Sequence, residues 1–208
     1  MTRRALLLGA GSGLLGGCTG LLPGTGPAPN VYDLSPKSRF REDIPRVSWQ
    51  LVVEEPLAAS GIDTTRIALK PNALEIKYFA DARWSDRAPR MVQTLLVESF
   101  ENSGKIIAIG RQSLGLRSDY NLKSELREFQ AEYMNDRDPP VIRVRLSLKL
   151  IRQPRQEIVA AENFEHTVPA PGPDIRSVVA GFDQALDRVL KSTIEWTLTV
   201  VPPDLPKA

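Results

Sequence analysis

The sequence has one cysteine and one histidine in 208 residues. A single thiol permits no intrachain disulfide and no cysteine-based zinc cluster, and a single imidazole leaves no second histidine for a metal site. Aromatic residues make up only 6% of the chain. The apolar run at residues 5–15 is too short to span a bilayer. Two motifs are also missing: the Gly-x-Ser-x-Gly elbow of serine hydrolases and the Gly-x-x-x-x-Gly-Lys-Ser/Thr loop that cradles nucleotide phosphates. Carboxylate pairs exist at Glu54-Glu55 and Asp136/Asp138, but they sit near turns, where solvation explains them. His166, beside a Pro-rich loop, reads as a part-buried structural residue. The sequence therefore nominates no catalytic residue, no cofactor and no metal ligand. A one-sided charge is lacking too. There are 27 basic and 25 acidic side chains, and two of the basic ones, Arg3 and Arg4, fall in a segment expected to be removed. The remaining body is balanced, which is not the footprint of a nucleic-acid binder. The local basic runs Arg143-Val144-Arg145 and Arg152-Gln153-Pro154-Arg155 read as solvated strand faces and turns.

What is present begins at the N-terminus. Residues 1–17 read MTRRALLLGAGSGLLGG: two arginines, a short apolar stretch, then small residues. That is the build of a secretory signal peptide. Five glycines, at 9, 11, 13, 16 and 17, argue against a stable buried helix. Leu15-Gly16-Gly17-Cys18 resembles the lipobox of bacterial lipoproteins. The resemblance implies lipidation of the Cys18 thiol, cleavage just before it, and retention on a membrane by the acyl chains. Thr19 stands where an inner-membrane retention aspartate would be, which implies an outer-membrane address facing the periplasm. Residues 18–30, with GLLPGTGPAPN after Thr19, read as a flexible tether. Residues 31–200 read as a single domain, and residues 201–208 as a polar, Pro-rich, disordered tail.

Within the body, residues 49–54 and 66–69 are strand candidates, and Pro71-Asn72 is expected to turn. Leu74, Ile76 and Tyr78 then alternate with Glu75 and Lys77, the period of a half-buried strand. Pro89 leads into a helix over 91–103, stopped at Gly104, and residues 105–109 follow as a short strand. Residues 118–133 satisfy either element. Leu122, Leu126, Phe129 and Tyr133 fit a helix, whereas Tyr120, Leu122, Ser124 and Leu126 fit a strand; propensity alone slightly favours the helix. The clearest strand is 141–151, where Ile142, Val144, Leu146, Leu148 and Leu150 alternate with Arg143, Arg145, Ser147 and Lys149. Gln153-Pro154-Arg155 predicts a hairpin turn into a strand over 157–167, and Asp174 is a cap for a second helix from Ile175 to about Thr193. The pattern predicts an α/β fold of the α+β type: a two-layer sandwich with a largely antiparallel sheet and two helices on one face.

Trp84, with Arg83, Arg87 and Arg90 around it, is open to two roles. It is a core plug or cap before the first helix, or a surface anchor by which Trp84, Arg83 and Arg87 dock an acidic partner.

The body as a whole resembles the auxiliary lipoproteins of ABC-type transport systems. The resemblance runs from about Val31 to Val200. It rests on Tyr32-Asp33-Leu34, Arg66-Ile67 with Leu74 and Tyr78, and Ala82-Arg83-Trp84 before the Pro-led helix with Leu95 and Phe100. It rests further on Ser118-Asp119-Tyr120-Asn121-Leu122 with Glu128-Phe129, the strand 141–150, and Ala180-Gly181-Phe182-Asp183-Gln184-Ala185 with Trp196. Gly181 departs from the bulkier or alanine-like residue typical of the family. The resemblance implies a strand at Tyr120 to Phe129, against local propensity. It also implies a non-catalytic accessory role in transport of phospholipid or another hydrophobic substrate. The implied partners are a periplasmic protein of the mammalian-cell-entry (MCE) family and an ABC permease–ATPase, and some relatives form rings, which admits a homo-oligomer. Two other readings stay open. A lipid-shuttling lipoprotein requires an acyl-sized cavity between helices and sheet. A structural envelope lipoprotein requires partners unrelated to transport.

Overall fold

The computed structural model describes residues 28–111, 117–133 and 138–203. Strands are β1 (Asn30–Tyr32), β2 (Val47–Val53), β3 (Leu57–Ala58), β4 (Arg66–Asn72), β5 (Glu75–Trp84), β6 (Ile106–Arg111), β7 (Tyr120–Glu132), β8 (Val141–Arg152) and β9 (Glu157–Pro169); helices are α1 (Ala88–Ser103) and α2 (Ile175–Val200). All nine strands join one sheet. It is a mixed sandwich dominated by antiparallel pairing, with both helices on one face, as the sequence predicts. Cys18 and the leader before it lie outside the described residues, as does the end of the tail from 204 onward.

The frame is the β7–β8–β9 meander, paired antiparallel along nearly its full length. Since β8 occupies one edge of β7, the other edge serves three short parallel strands in succession. β2 meets residues 120–122, β3 meets 125–126 and β4 meets 131–132. β6 extends β2 in parallel, β5 extends β4 as an antiparallel hairpin, and β1 adds to β5 in parallel.

β8 follows its sequence pattern as far as Leu150: Ile142, Val144, Leu146, Leu148 and Leu150 are buried under the helices, and Ile151 is buried as well where the register shifts. On its wet face Arg143 meets Glu132 and Glu165 at 3.0 and 2.7 Å, and Arg145 meets Glu165 at 3.7 Å. That is the solvated-face reading of the basic run. In β7 the buried residues alternate as Tyr120, Leu122, Ser124 and Leu126; beyond the slip the apolar ones are Phe129 and Ala131, with the polar Gln130 and Glu132 buried on the opposite face. The parity changes because the register slips between Leu126 and Glu128. One extra residue moves the inward set from even to odd positions. The same slip generates the spacing 122, 126, 129 and 133, which mimics a helix although the segment is a strand.

α1 begins with a proline in its first turn and ends at Gly104, whose φ of +60° is the left-handed conformation suited to glycine. α2 begins at Asp174, whose carboxylate accepts from the N–H groups of Arg176 and Ser177 at 3.0 and 3.1 Å. It runs past Thr193, through Trp196, to Val200. α2 lies over β8 and β9, and α1 over β2 and β6. The stretch between β1 and β2 crosses both helices. Ser35 N–H donates to Asp183 at 2.7 Å, Lys37 N–H donates to Ser99 Oγ at 2.8 Å, and the Lys37 ammonium pairs with Asp187 at 2.9 Å. Arg41 N–H donates to Glu195 at 3.0 Å.

Two boundaries differ from expectation. β4 continues through Pro71 and Asn72, and the turn falls at Ala73-Leu74, where Leu74 N–H donates to Asn72 Oδ1. The tail starts later than residue 201. Val201 is buried, Pro202 O accepts from the Trp49 indole at 3.2 Å, and Pro203 O accepts from Ser48 N–H at 2.9 Å. Trp49 is fully enclosed, so its N–H needs an acceptor inside the fold, and the chain end supplies it.

Candidate functional site

The residues nominated for docking leave the end of β5 in different directions. Trp84 is 1% exposed. Its indole packs on Phe129 and Phe182 with ring centroids 5.6 and 5.1 Å apart, and those two phenylalanines are 5.0 Å from each other. This trio joins β5, β7 and α2 in the core. Trp84 therefore fills the core-plug role, and a docking role through its side chain is corrected: an enclosed ring has no surface to offer. Arg87, at the start of α1, is bound to the chain's own carboxylates, Asp63 at 2.6 Å and Glu55 at 2.9 Å. Its hydrogen bond to Asp63 raises its pKa further above the ordinary guanidinium value. Arg90 pairs with Asp86 one turn earlier, at 3.2 Å. Arg83 alone of the cluster is exposed with no ion pair among the described residues.

Arg83 borders an open cleft of about 620 Å³ at the corner of β1, β4 and β5. The cleft comes from an irregularity in the β4–β5 hairpin. Arg66 pairs with Arg83 and Ala68 with Tyr78, so residues 79–82 of β5 oppose the single residue Ile67. The surplus length bows outward and opens the concavity. Its back wall is Tyr78, held from two sides. The Arg66 guanidinium stacks over the ring at 3.7 Å, and the phenol donates to Gly61 O at 3.2 Å. Ile76 and Phe79 add apolar wall, and Pro29 closes the side from which β1 enters. No carboxylate lines the cleft. Lys77 at the rim is paired with Glu75 at 2.9 Å, and that contact holds the Glu75 carboxyl below its ordinary pKa.

The apolar alternation 74–78 falls on this overhang. Leu74 is fully exposed and Ile76 is 40% exposed, while Ala82 and Trp84 of the same parity are buried. The half-burial predicted for the start of β5 is corrected accordingly: the helices end before they reach it.

Other nominated segments are structural. Asp119 Oδ2 accepts from Gln50 N–H at 2.8 Å, and its carbonyl accepts from Gln153 N–H at 2.8 Å. Asn121 donates to Glu54 at 3.0 Å. The Ser118–Leu122 motif thus pins β2 and the β8–β9 turn to the start of β7. His166 is half-buried, and its pKa is pushed below the ordinary value by burial and then by Arg188. No cluster of three potential metal ligands occurs among the described residues. The layer between helices and sheet is filled by large side chains, Trp49, Trp84, Tyr120, Phe100, Phe129 and Phe182 among them. The cleft at β5 lies outside that layer.

The described residues form one α/β sandwich with a packed layer between helices and sheet. Residues 32–193 match the family model described as the ABC-type transport auxiliary lipoprotein component, and the chain belongs to that family. Membership classes it as an auxiliary lipoprotein component associated with ABC-type transport. A Xanthomonas campestris protein of known crystal structure is 34% identical, with a TM-score of 0.78 over 82% of this chain and 95% of that one. A second crystal structure, of an uncharacterized protein, shares the fold alone, at 12% identity and a TM-score of 0.64 over 82% of this chain and 99% of that one. An uncharacterized protein of Bradyrhizobium diazoefficiens is 28% identical over 190 residues, covering 91% of this chain and 50% of the relative. The chain thus spans about half the length of that curated relative.

Proposed function

We propose that this chain is the membrane-anchored accessory component of an ABC/MCE-type transport system that moves phospholipid or another hydrophobic substrate across the cell envelope. Lipid on Cys18 holds it to the periplasmic side of a membrane, the outer one by the Thr19 rule. From there it docks a periplasmic MCE-family protein served by an ABC permease and ATPase. The supporting observation is the family match, which takes in almost the whole folded unit and starts just beyond the short segment after Cys18. The filled interior favours docking over shuttling, since an acyl chain has no room between helices and sheet.

The test is made in cells of the source bacterium. Radioactive palmitate should label the wild-type protein and not Cys18→Ala. Crosslinking followed by detergent extraction should recover the MCE protein with its permease and ATPase. Labelling without any MCE protein in the crosslinked fraction would overturn the transport partner and leave the anchor standing. No labelling would overturn the anchor.

A further inference from the structure

Arg66 and Arg83 are direct cross-strand partners on β4 and β5. Both are exposed, and neither has an ion pair among the described residues. Like charges placed opposite each other on adjacent strands destabilise a sheet. Arg87, Arg143, Arg145 and Arg152, by contrast, each lie beside a carboxylate. The pair at 66/83 is thus a local excess of positive charge at the rim of a ready-made cleft. The aromatic wall of that cleft is already fixed by Arg66 and Gly61. The part-exposed Ile76 belongs to the cleft wall, and the fully exposed Leu74 stands two residues before it in the β4–β5 turn.

We propose that the β4–β5 cleft is a binding site for the phosphate headgroup of an anionic phospholipid at a membrane surface. Arg66 and Arg83 clamp the phosphate oxygens, as guanidinium forks do, and Leu74 and Ile76 enter the interfacial region beside it. Two observations point to a membrane rather than a dissolved anion. The exposed aliphatic side chains of the cleft wall and of the adjoining hairpin turn suit an acyl boundary. The chain toward Cys18 also leaves from the cleft itself, since Pro29 forms one wall and Val31 pairs with Arg83. Cys18 precedes Pro29 by eleven residues, which cannot span more than about 40 Å. This second point rests on the proposed lipidation of Cys18; the charge and shape of the cleft do not.

The test uses the chain from residue 18 onward with Cys18→Ser, so that no acyl chain contributes. The described residues begin at 28, ten positions beyond the expected cleavage point before Cys18. Flotation with vesicles of phosphatidylcholine alone and of phosphatidylcholine with phosphatidylglycerol should show binding to the second only. Arg66→Gln/Arg83→Gln should weaken it about 30-fold, and Arg83→Gln alone about fivefold. Arg155→Gln, in the β8–β9 turn at the far end of the sheet, should change it less than about twofold. The double variant loses the stacking of Arg66 on Tyr78 together with the Arg66–Arg83 repulsion, so its melting temperature is read beside its binding. If it unfolds, the single variant carries the test. No preference for the anionic vesicles, or equal losses in the Arg155 and Arg66/Arg83 variants, would overturn the site. Displacement by inorganic phosphate, but not by chloride at equal ionic strength, would assign the cleft to a free anion and overturn the lipid. Failure of palmitate labelling bears on the anchor alone and leaves this measurement intact.

Discussion

Gly181→Ala sets two effects of known size against each other. In the interior of α2 the substitution should favour the helix by about 1 kcal/mol, because alanine is the better helix former. Tertiary packing opposes it. A Cβ at this position would lie 2.7 Å from Ile142 Cγ1 and 3.4 Å from the Ala170 Cα. Carbon atoms in good contact sit at about 3.5–4.0 Å, so the first distance is short by about 1 Å. Ile142 is fully buried in β8 and cannot swing aside. Forcing a methyl into a packed core costs about 1–3 kcal/mol. The net expectation is a destabilisation of about 1 kcal/mol, or about 2–4 °C in melting temperature for a domain of this size. Urea unfolding followed by far-ultraviolet circular dichroism measures it. The decisive comparison is the same substitution on an Ile142→Ala background. The obstructing atom is gone there, so Gly181→Ala should become neutral or stabilising. A stabilisation of about 1 kcal/mol in the parent itself would show that propensity wins and that α2 does not approach β8 this closely.

Phe182→Ala removes the ring that joins Trp84 to Phe129 and should cost about 3–5 kcal/mol in the same assay, with a fall in Trp near-ultraviolet circular dichroism. Asp174→Ala should lower the melting temperature by removing the acceptor for two helix N–H groups. The capping carboxylate has a lowered pKa in the fold, so its contribution is present above the unfolded value of 3.8 and fades as pH falls through the folded one. His166 has a folded pKa below its unfolded value of 6.5, so the unfolded chain binds the extra proton. Stability should therefore drop as pH falls from 7 through the folded pKa, and His166→Gln should flatten that slope in melts across pH.

The elements that read cleanly in the sequence are those whose burial depends on a single period. β8 alternates from Val141 to Leu150, and the inner face of α2 keeps three- and four-residue spacing from Val178 to Leu198. β7 defeats local reading because its bulge shifts the inward set mid-strand, and only the family resemblance points to the strand. For β5 the alternation is visible, but which half lies under a helix depends on where α1 and α2 stop. The candidate site was legible in part. Arg83 stands out beside Trp84, yet its pairing with Arg66 depends on the four-residue bow in β5, which no residue pattern marks. The strap over the helices, with Lys37 on Asp187, joins positions 150 residues apart and leaves no local trace.

The branched edge of β7 has a consequence for the order in which the molecule can assemble. Among the described residues, β2, β3 and β4 do not pair with one another; each finds its partner in β7. As the chain is synthesised, the first hundred or so residues can form α1 and the small β1–β5–β4 sheet, but β2 and β3 still lack the strand they join. Closure of three long loops waits on one late strand, the kind of non-local topology that folds slowly. A nascent chain of this kind stays open until its second half arrives, which is the state a polypeptide needs if it is to be threaded through a narrow pore before it folds.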